Sequence, residues 1–157
     1  MKIVFTDGSA SPNPGPGGFA VIDAATGEPL ILGRSELTTN IVMEGEAILA
    51  AMTEFLDGVE IHSDSEFWIN VLTKWAPTWA KNDWKKKTGP IKNLELVKKM
   101  YEAYKGGEKV KLIWVRGHVG TEMNEKADEW ANKARKKQIY SDLKIKEIPV
   151  KEEAWKK

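Results

Sequence analysis

A change of hydrophobic period at Thr39-Asn40 constrains the fold more than any other feature of the chain. Before it, apolar residues come in short runs of β-forming side chains broken by turn residues. Met1 to Thr6 is the first run, built on Ile3-Val4-Phe5 and ended by Asp7-Gly8-Ser9. Phe19 to Asp23 is a second and Leu30 to Thr38 a third. Ser11-Pro12-Asn13-Pro14-Gly15-Pro16-Gly17-Gly18 admits only a turn or loop, and Thr26-Gly27-Glu28-Pro29 marks a hairpin. Connections this short join antiparallel neighbours, so a three-stranded meander is expected. After the switch, Met43, Ala47, Ile48, Ala51, Met52 and Phe55 recur at helical spacing. They predict an amphipathic helix over Met43 to Leu56, with Gly58 as its stop.

Strands and helices then alternate. Val59 to Asp64 reads as a fourth strand and Ser65 to Thr73 as a second helix. A Trp/Lys-rich segment over Trp75 to Lys87 precedes a helix over Leu94 to Tyr104. Lys109 to Val115, with Val110, Leu112 and Trp114 alternating, is a fifth strand; Gly117-His118-Val119-Gly120 is a loop; Asn124 to Lys137 is a last helix. Strand, helix, strand in that order makes a parallel pair. The expected class is α/β, a five-stranded mixed sheet with three antiparallel and two parallel strands, flanked by helices. Residues 1–140 form one domain in this reading. The charged tail over 141–157 is either loosely attached or an added edge strand.

The chain has 157 residues, 41% hydrophobic and 30% charged, enough for one domain with a sizeable core. It has no cysteine, which excludes a disulfide framework and a thiolate metal site and is compatible with a reducing cytoplasm. Asp7 comes too early for a secretory signal, and no apolar run approaches the ~18 residues of a membrane span. A cytoplasmic monomer with no membrane attachment is therefore expected. Net charge is only +1, but Lys81 to Lys99 holds seven lysines against Asp83 and Glu95. That asymmetry fits either a polyanion contact or a solvated helical face.

Four carboxylates stand at suggestive places. Asp7 and Asp64 follow apolar strands, Glu44 opens the first long helix, and Asp128 lies one turn into the last. Brought to one sheet edge, they would repel one another and raise each other's pKa. Divalent cations relieve such repulsion, and oxygen-only donors favour Mg2+ or Mn2+. Each residue taken singly is more often a cap at a strand end or helix start.

The surrounding motifs resemble type 1 ribonuclease H of the bacterial kind, with a basic protrusion. Thr6-Asp7-Gly8-Ser9 with Asn13-Pro14-Gly15-Pro16-Gly17-Gly18 is similar to the family's opening hairpin. Thr38-Thr39-Asn40 with Met43-Glu44 resembles its helix entry, and Ser63-Asp64-Ser65 its third acidic motif. Val115-Arg116-Gly117-His118-Val119-Gly120 with Asn124-Glu125-Lys126-Ala127-Asp128 resembles its histidine loop and last helix. The resemblance covers about residues 1–137. It implies a ribonuclease H-like fold and an endonuclease that hydrolyses the RNA strand of RNA–DNA hybrids by two-metal-ion catalysis, leaving 5′-phosphate and 3′-hydroxyl ends. Asp7, Glu44, Asp64 and Asp128 would hold two Mg2+ ions, with Mn2+ as a substitute. His118 would help product leave or shuttle a proton. Asn13, Thr39, Asn40 and Ser65 would meet the hybrid. Trp75, Trp79, Lys81, Trp84, Lys85, Lys86 and Lys87 would form the protrusion that holds it. Asn13, Thr39 and Asn40 are equally turn and cap formers, and Trp75 and Trp79 are equally packing residues. His62, inside a strand pattern, reads as structural.

The chain departs from the family pattern at Ile41 and Val42, where a second Asn and a basic residue are usual, and at Glu66, where Gln is common. Glu46 is an extra carboxylate that points away from Glu44 on a helix. Two other classes remain open: a module that binds hybrids without cutting, and a DNA-directed nuclease of the same superfamily. All four carboxylates and His118 weigh against the first; the Asn13 loop, histidine loop and protrusion weigh against the second.

Overall fold

A computed structural model describes residues 1–86, 88–105, 109–116, 122–137 and 144–150. Six strands form one mixed sheet: β1 (Lys2–Ala10), β2 (Gly15–Asp23), β3 (Pro29–Thr38), β4 (Val59–Ser63), β5 (Val110–Trp114) and β6 (Ile145–Glu147), in the order β5-β4-β1-β2-β3-β6. The meander β1-β2-β3 is antiparallel, while β4 joins β1, and β5 joins β4, in parallel. The expected α/β class stands, with one strand more than expected. The sixth comes from the tail, where β6 lies parallel on β3 with Leu32 opposite Ile145. Glu147 anchors it by pairing at 3.2 Å with the buried guanidinium of Arg34.

Helices cover both faces: α1 (Asn40–Glu54), α2 (Glu66–Asn70), α3 (Ala76–Lys81), α4 (Leu94–Tyr104) and α5 (Glu122–Arg135). Apolar periodicity found α4 with its ends correct, and missed the first turn of α1. That turn is set by a cap, since the Thr39 hydroxyl accepts from Val42 N at 3.2 Å. The second helix does not stop at Thr73. It runs through a π-helical stretch, Val71–Trp75, into α3. Pro77 accounts for the widening, because it has no N–H to donate and crowds the carbonyl four residues back.

The sheet separates two apolar clusters. On one face Val4, Val21, Val59 and Ile61 pack under α1, α4 and the fully buried Trp68. The Trp68 Nε1–H is satisfied by Ile41 O at 2.7 Å. On the other face Phe5, Ala20, Ile22 and Leu32 meet Ala127, Ala131 and Ala134, an alanine stripe that lets α5 lie close to the sheet.

Candidate active site

The four carboxylates reach one place through strand register and two bare positions in the sheet. In the parallel ladder Thr6 stands opposite Ser63, so Asp7 and Asp64 are the next residues on adjacent strands. β1 itself continues to Ala10, because β2 still pairs with it as far as Gly17. Asp7 therefore lies within the strand rather than at its end, the position expected for it. By strand alternation it shares a face with Phe5, the face that α5 covers.

Gly8 faces the other way. A Cβ there would strike the Met43–Glu44 peptide, so the start of α1 rests directly on β1. That contact delivers Glu44. Gly18, beside Ser9 on β2, does the same for α5, where a Cβ would strike Ala131 O and the Arg135 backbone. That contact delivers Asp128. The sequence reading passed over Gly8 as a turn residue; a glycine inside a strand signals a close backbone approach.

The electrostatics show that the groups meet. Asp7 is 7% exposed, and its carboxyl is pushed up to about 9. Burial is the main cause, followed by the charges of Asp64 and Asp128 and a hydrogen bond with Asp128; the Gly8 N–H at 2.9 Å opposes them. Glu44 is pushed up to about 7 by burial and by Asp64, against a hydrogen bond from Ser65 that lowers it. Glu44 is thus an α1 carboxylate that feels Asp64, and Glu46 is buried two residues on. Among the described residues no three acidic or histidine side chains already stand at the spacing one ion imposes. The donors fit a hard divalent cation in kind: all are oxygens, and two of them carry raised pKa values that a positive charge would reverse.

Ser65 caps α2 by accepting from Trp68 N at 3.3 Å while its hydroxyl also serves Glu44. Asn13, on the exposed β1–β2 loop, accepts from Asn40 N at 3.1 Å; Asn40 in turn accepts from Ala10 N at 2.6 Å. Both side-chain oxygens are engaged, and both NH2 groups are left as donors. Thr39 acts as the α1 cap. Trp75 is exposed between Phe67 and Trp79, with ring centroids 6.0 and 6.3 Å away. Trp79 and Trp84 are partly buried on the larger core, and Trp84 lies edge-on to Tyr101 at 5.8 Å. Lys81, Lys85 and Lys86 are exposed. His62 stacks on Phe5 at 4.6 Å and bonds Glu60 at 2.8 Å. His118 and Lys87 lie outside the described residues.

The RNase H family model matches residues 1–136. The chain belongs to the ribonuclease H family. It is an enzyme of that family, a nuclease and hydrolase. The Ribonuclease H of Methylorubrum extorquens (strain PA1) is 36% identical over 155 residues, spanning 97% of this chain and 68% of that protein. That of Mesorhizobium japonicum is 42% identical over 134 residues, covering 82% and 74%. Among solved structures, a type 1 RNase H with the type 2 active-site motif aligns with a TM-score of 0.68 at 25% identity, covering 88% of this chain and 74% of that one. The foamy viral protease-reverse transcriptase, solved with double-stranded DNA, aligns at 0.71 and 19% identity over 85% and 93%, a likeness of fold. Ribonuclease H membership covers every strand except β6.

Proposed function

We propose that this ribonuclease H hydrolyses the RNA strand of RNA–DNA hybrids by two-metal-ion catalysis, leaving 5′-phosphate and 3′-hydroxyl ends. One observation carries the reading: Asp7 sits buried against Asp64 and Asp128, with Glu44 raised beside Asp64. Ordinary capping residues are not gathered like this from four separate elements. Asp7, Glu44, Asp64 and Asp128 would hold two Mg2+ ions, with Mn2+ able to substitute. Bound there, the ions supply a water activated at neutral pH and stabilisation of the leaving 3′ oxygen.

The chain's own groups do the rest. The Ser65 hydroxyl orients the Glu44 carboxylate. Asn13 and Asn40, with their oxygens engaged internally, offer NH2 donors suited to the 2′-hydroxyls that mark RNA in a wide, shallow minor groove. Thr39 holds the turn that presents them. Lys81, Lys85 and Lys86, with Lys87, follow phosphates, and exposed Trp75 beside Trp79 offers an apolar surface to sugar, with Trp84 bracing the segment against the core. His118 helps product leave or shuttles a proton. The catalytic unit is residues 1–140, acting as a monomer in the cytoplasm; among the described residues no helix is long and apolar enough to cross a membrane.

The test is to incubate the protein with labelled hybrid, duplex DNA and duplex RNA, with Mg2+ or with EDTA. Cleavage confined to the RNA of the hybrid, and lost in EDTA, is expected. Hybrid binding without cleavage, or cutting of duplex DNA, would replace this reading with one of the two alternatives.

A further inference from the structure

The α5–β1 contact contains a polar cluster that neither metal binding nor hybrid binding uses. Ser9 Oγ donates to Asn132 Oδ1 at 3.3 Å, joining β1 to α5 across 123 positions of sequence. Arg135 donates to the same oxygen through Nε at 3.4 Å and Nη2 at 3.3 Å, and Asn132 Nδ2 donates to Asp128 O at 3.1 Å. The amide is thereby fixed in one orientation. Flipped, it would set its NH2 against a guanidinium and its oxygen against the Asp128 carbonyl.

The spacing of this cluster follows from two periods. Asp7 and Ser9 are two apart on a strand, on one face, separated by roughly 6.7 Å of rise. Asp128 and Asn132 are four apart on a helix, on one face, separated by roughly 6 Å. The two intervals nearly match, so β1 and α5 meet at two successive rungs. One rung is Asp7 with Asp128, hydrogen-bonded yet mutually repulsive when ionised. The other is Ser9 with Asn132, which has no net charge.

We propose that Asn132 is a positioning residue: its bond to Ser9 holds α5 in register with β1, and so keeps Asp128 at the distance from Asp7 that a shared divalent cation requires. The proposal rests on the metal-site reading above. An uncharged rung beside a repulsive one keeps the carboxylate-bearing elements together while the carboxylates are ionised. It also removes part of the reorganisation that cation binding would otherwise require.

The experiment measures Mn2+ binding by calorimetry without nucleic acid, alongside hybrid affinity in EDTA and steady-state cleavage. The variants are Asn132→Ala, Ser9→Ala, their double, Ser9→Thr and, as reference, Asp7→Asn. Removing a residue that orients metal ligands typically weakens metal affinity or activity about tenfold or more, so about a tenfold loss of Mn2+ affinity is expected in Asn132→Ala and Ser9→Ala. kcat falls with it, while KM and hybrid affinity stay within about twofold. The double variant is no worse than the weaker single, and Ser9→Thr, which keeps the hydroxyl, behaves as wild type. Ser9→Ala removes one oxygen from a half-buried site, so it carries the test even where Asn132→Ala fails to fold. Normal Mn2+ affinity in Ser9→Ala with a defective Asp7→Asn overturns the positioning role alone. Normal affinity in Asp7→Asn as well overturns the metal site and the positioning role together.

Discussion

In the metal-free protein, burial and the charges of Asp64 and Asp128 push the Asp7 carboxyl up to about 9. The consequence for stability runs opposite to that of a salt-bridged aspartate. Its folded pKa, about 9, lies above the ordinary 3.8, so between those values the folded state binds a proton that the unfolded state has released. Glu44 acts likewise between about 7 and 4.5. Metal-free protein should therefore lose stability as pH rises from about 5 to about 9, and added Mg2+ should raise Tm by more at pH 9 than at pH 6. Thermal melts with EDTA or Mg2+ across that range check this; a Tm increment that shrinks with pH would contradict it. Asp7→Asn removes the need to take up that proton on folding but keeps the shape. It should stabilise the metal-free protein by about 0.5–2 kcal/mol, as often happens when a strained functional group is neutralised, and abolish cleavage. The motifs around these residues single them out in the sequence as candidates. Their spacing is not legible there, because it depends on the register that sets Thr6 opposite Ser63.

Elements built on apolar periodicity were the readable ones: α4 ends where its pattern ends, and the β1-β2-β3 meander follows from its turns. The first turn of α1, the passage from α2 through a π stretch to α3, and the continuation of β1 to Ala10 were not. The first depends on the Thr39 cap, the second on the missing N–H of a proline and the third on pairing with β2, and side-chain periodicity carries no trace of any of them. Gly8 is the sharpest case. Gly8→Ala places a methyl against the Met43–Glu44 peptide, and the only relief is to move α1. Overpacking of that kind costs about 1–3 kcal/mol, and cleavage should fall by more than tenfold because Glu44 moves with the helix. Denaturant titration and kcat on the same variant check both; a variant with normal kcat would show that α1 does not set the Glu44 position.

For the whole molecule, net charge is nearly neutral while its distribution is uneven. With +1 overall, the lysine-rich stretch is where the proposed phosphate contacts lie. Lys85→Ala and Lys86→Ala should each lower the slope of log affinity against log salt by about one if the residue meets a phosphate. Binding isotherms at several salt concentrations with a catalytically dead variant measure this. The tail adds a second global property. Glu147→Ala would leave the buried Arg34 guanidinium short of its main partner, at a cost of about 1–3 kcal/mol, with kcat unchanged because β6 lies at the sheet edge beyond β3. A drop in kcat matching the drop in Tm would tie the tail to the site.

The paired glycines also bear on how freely this molecule can change. At Gly8 and Gly18 the helices touch the sheet through backbone atoms, one on each side. The thickness of that sandwich is therefore fixed by peptide geometry and not by side-chain size. A substitution in either apolar cluster that leaves these two backbone contacts intact leaves the spacing of helix and sheet at those points unchanged. The room for change at those two points is therefore set by residues that have no side chain.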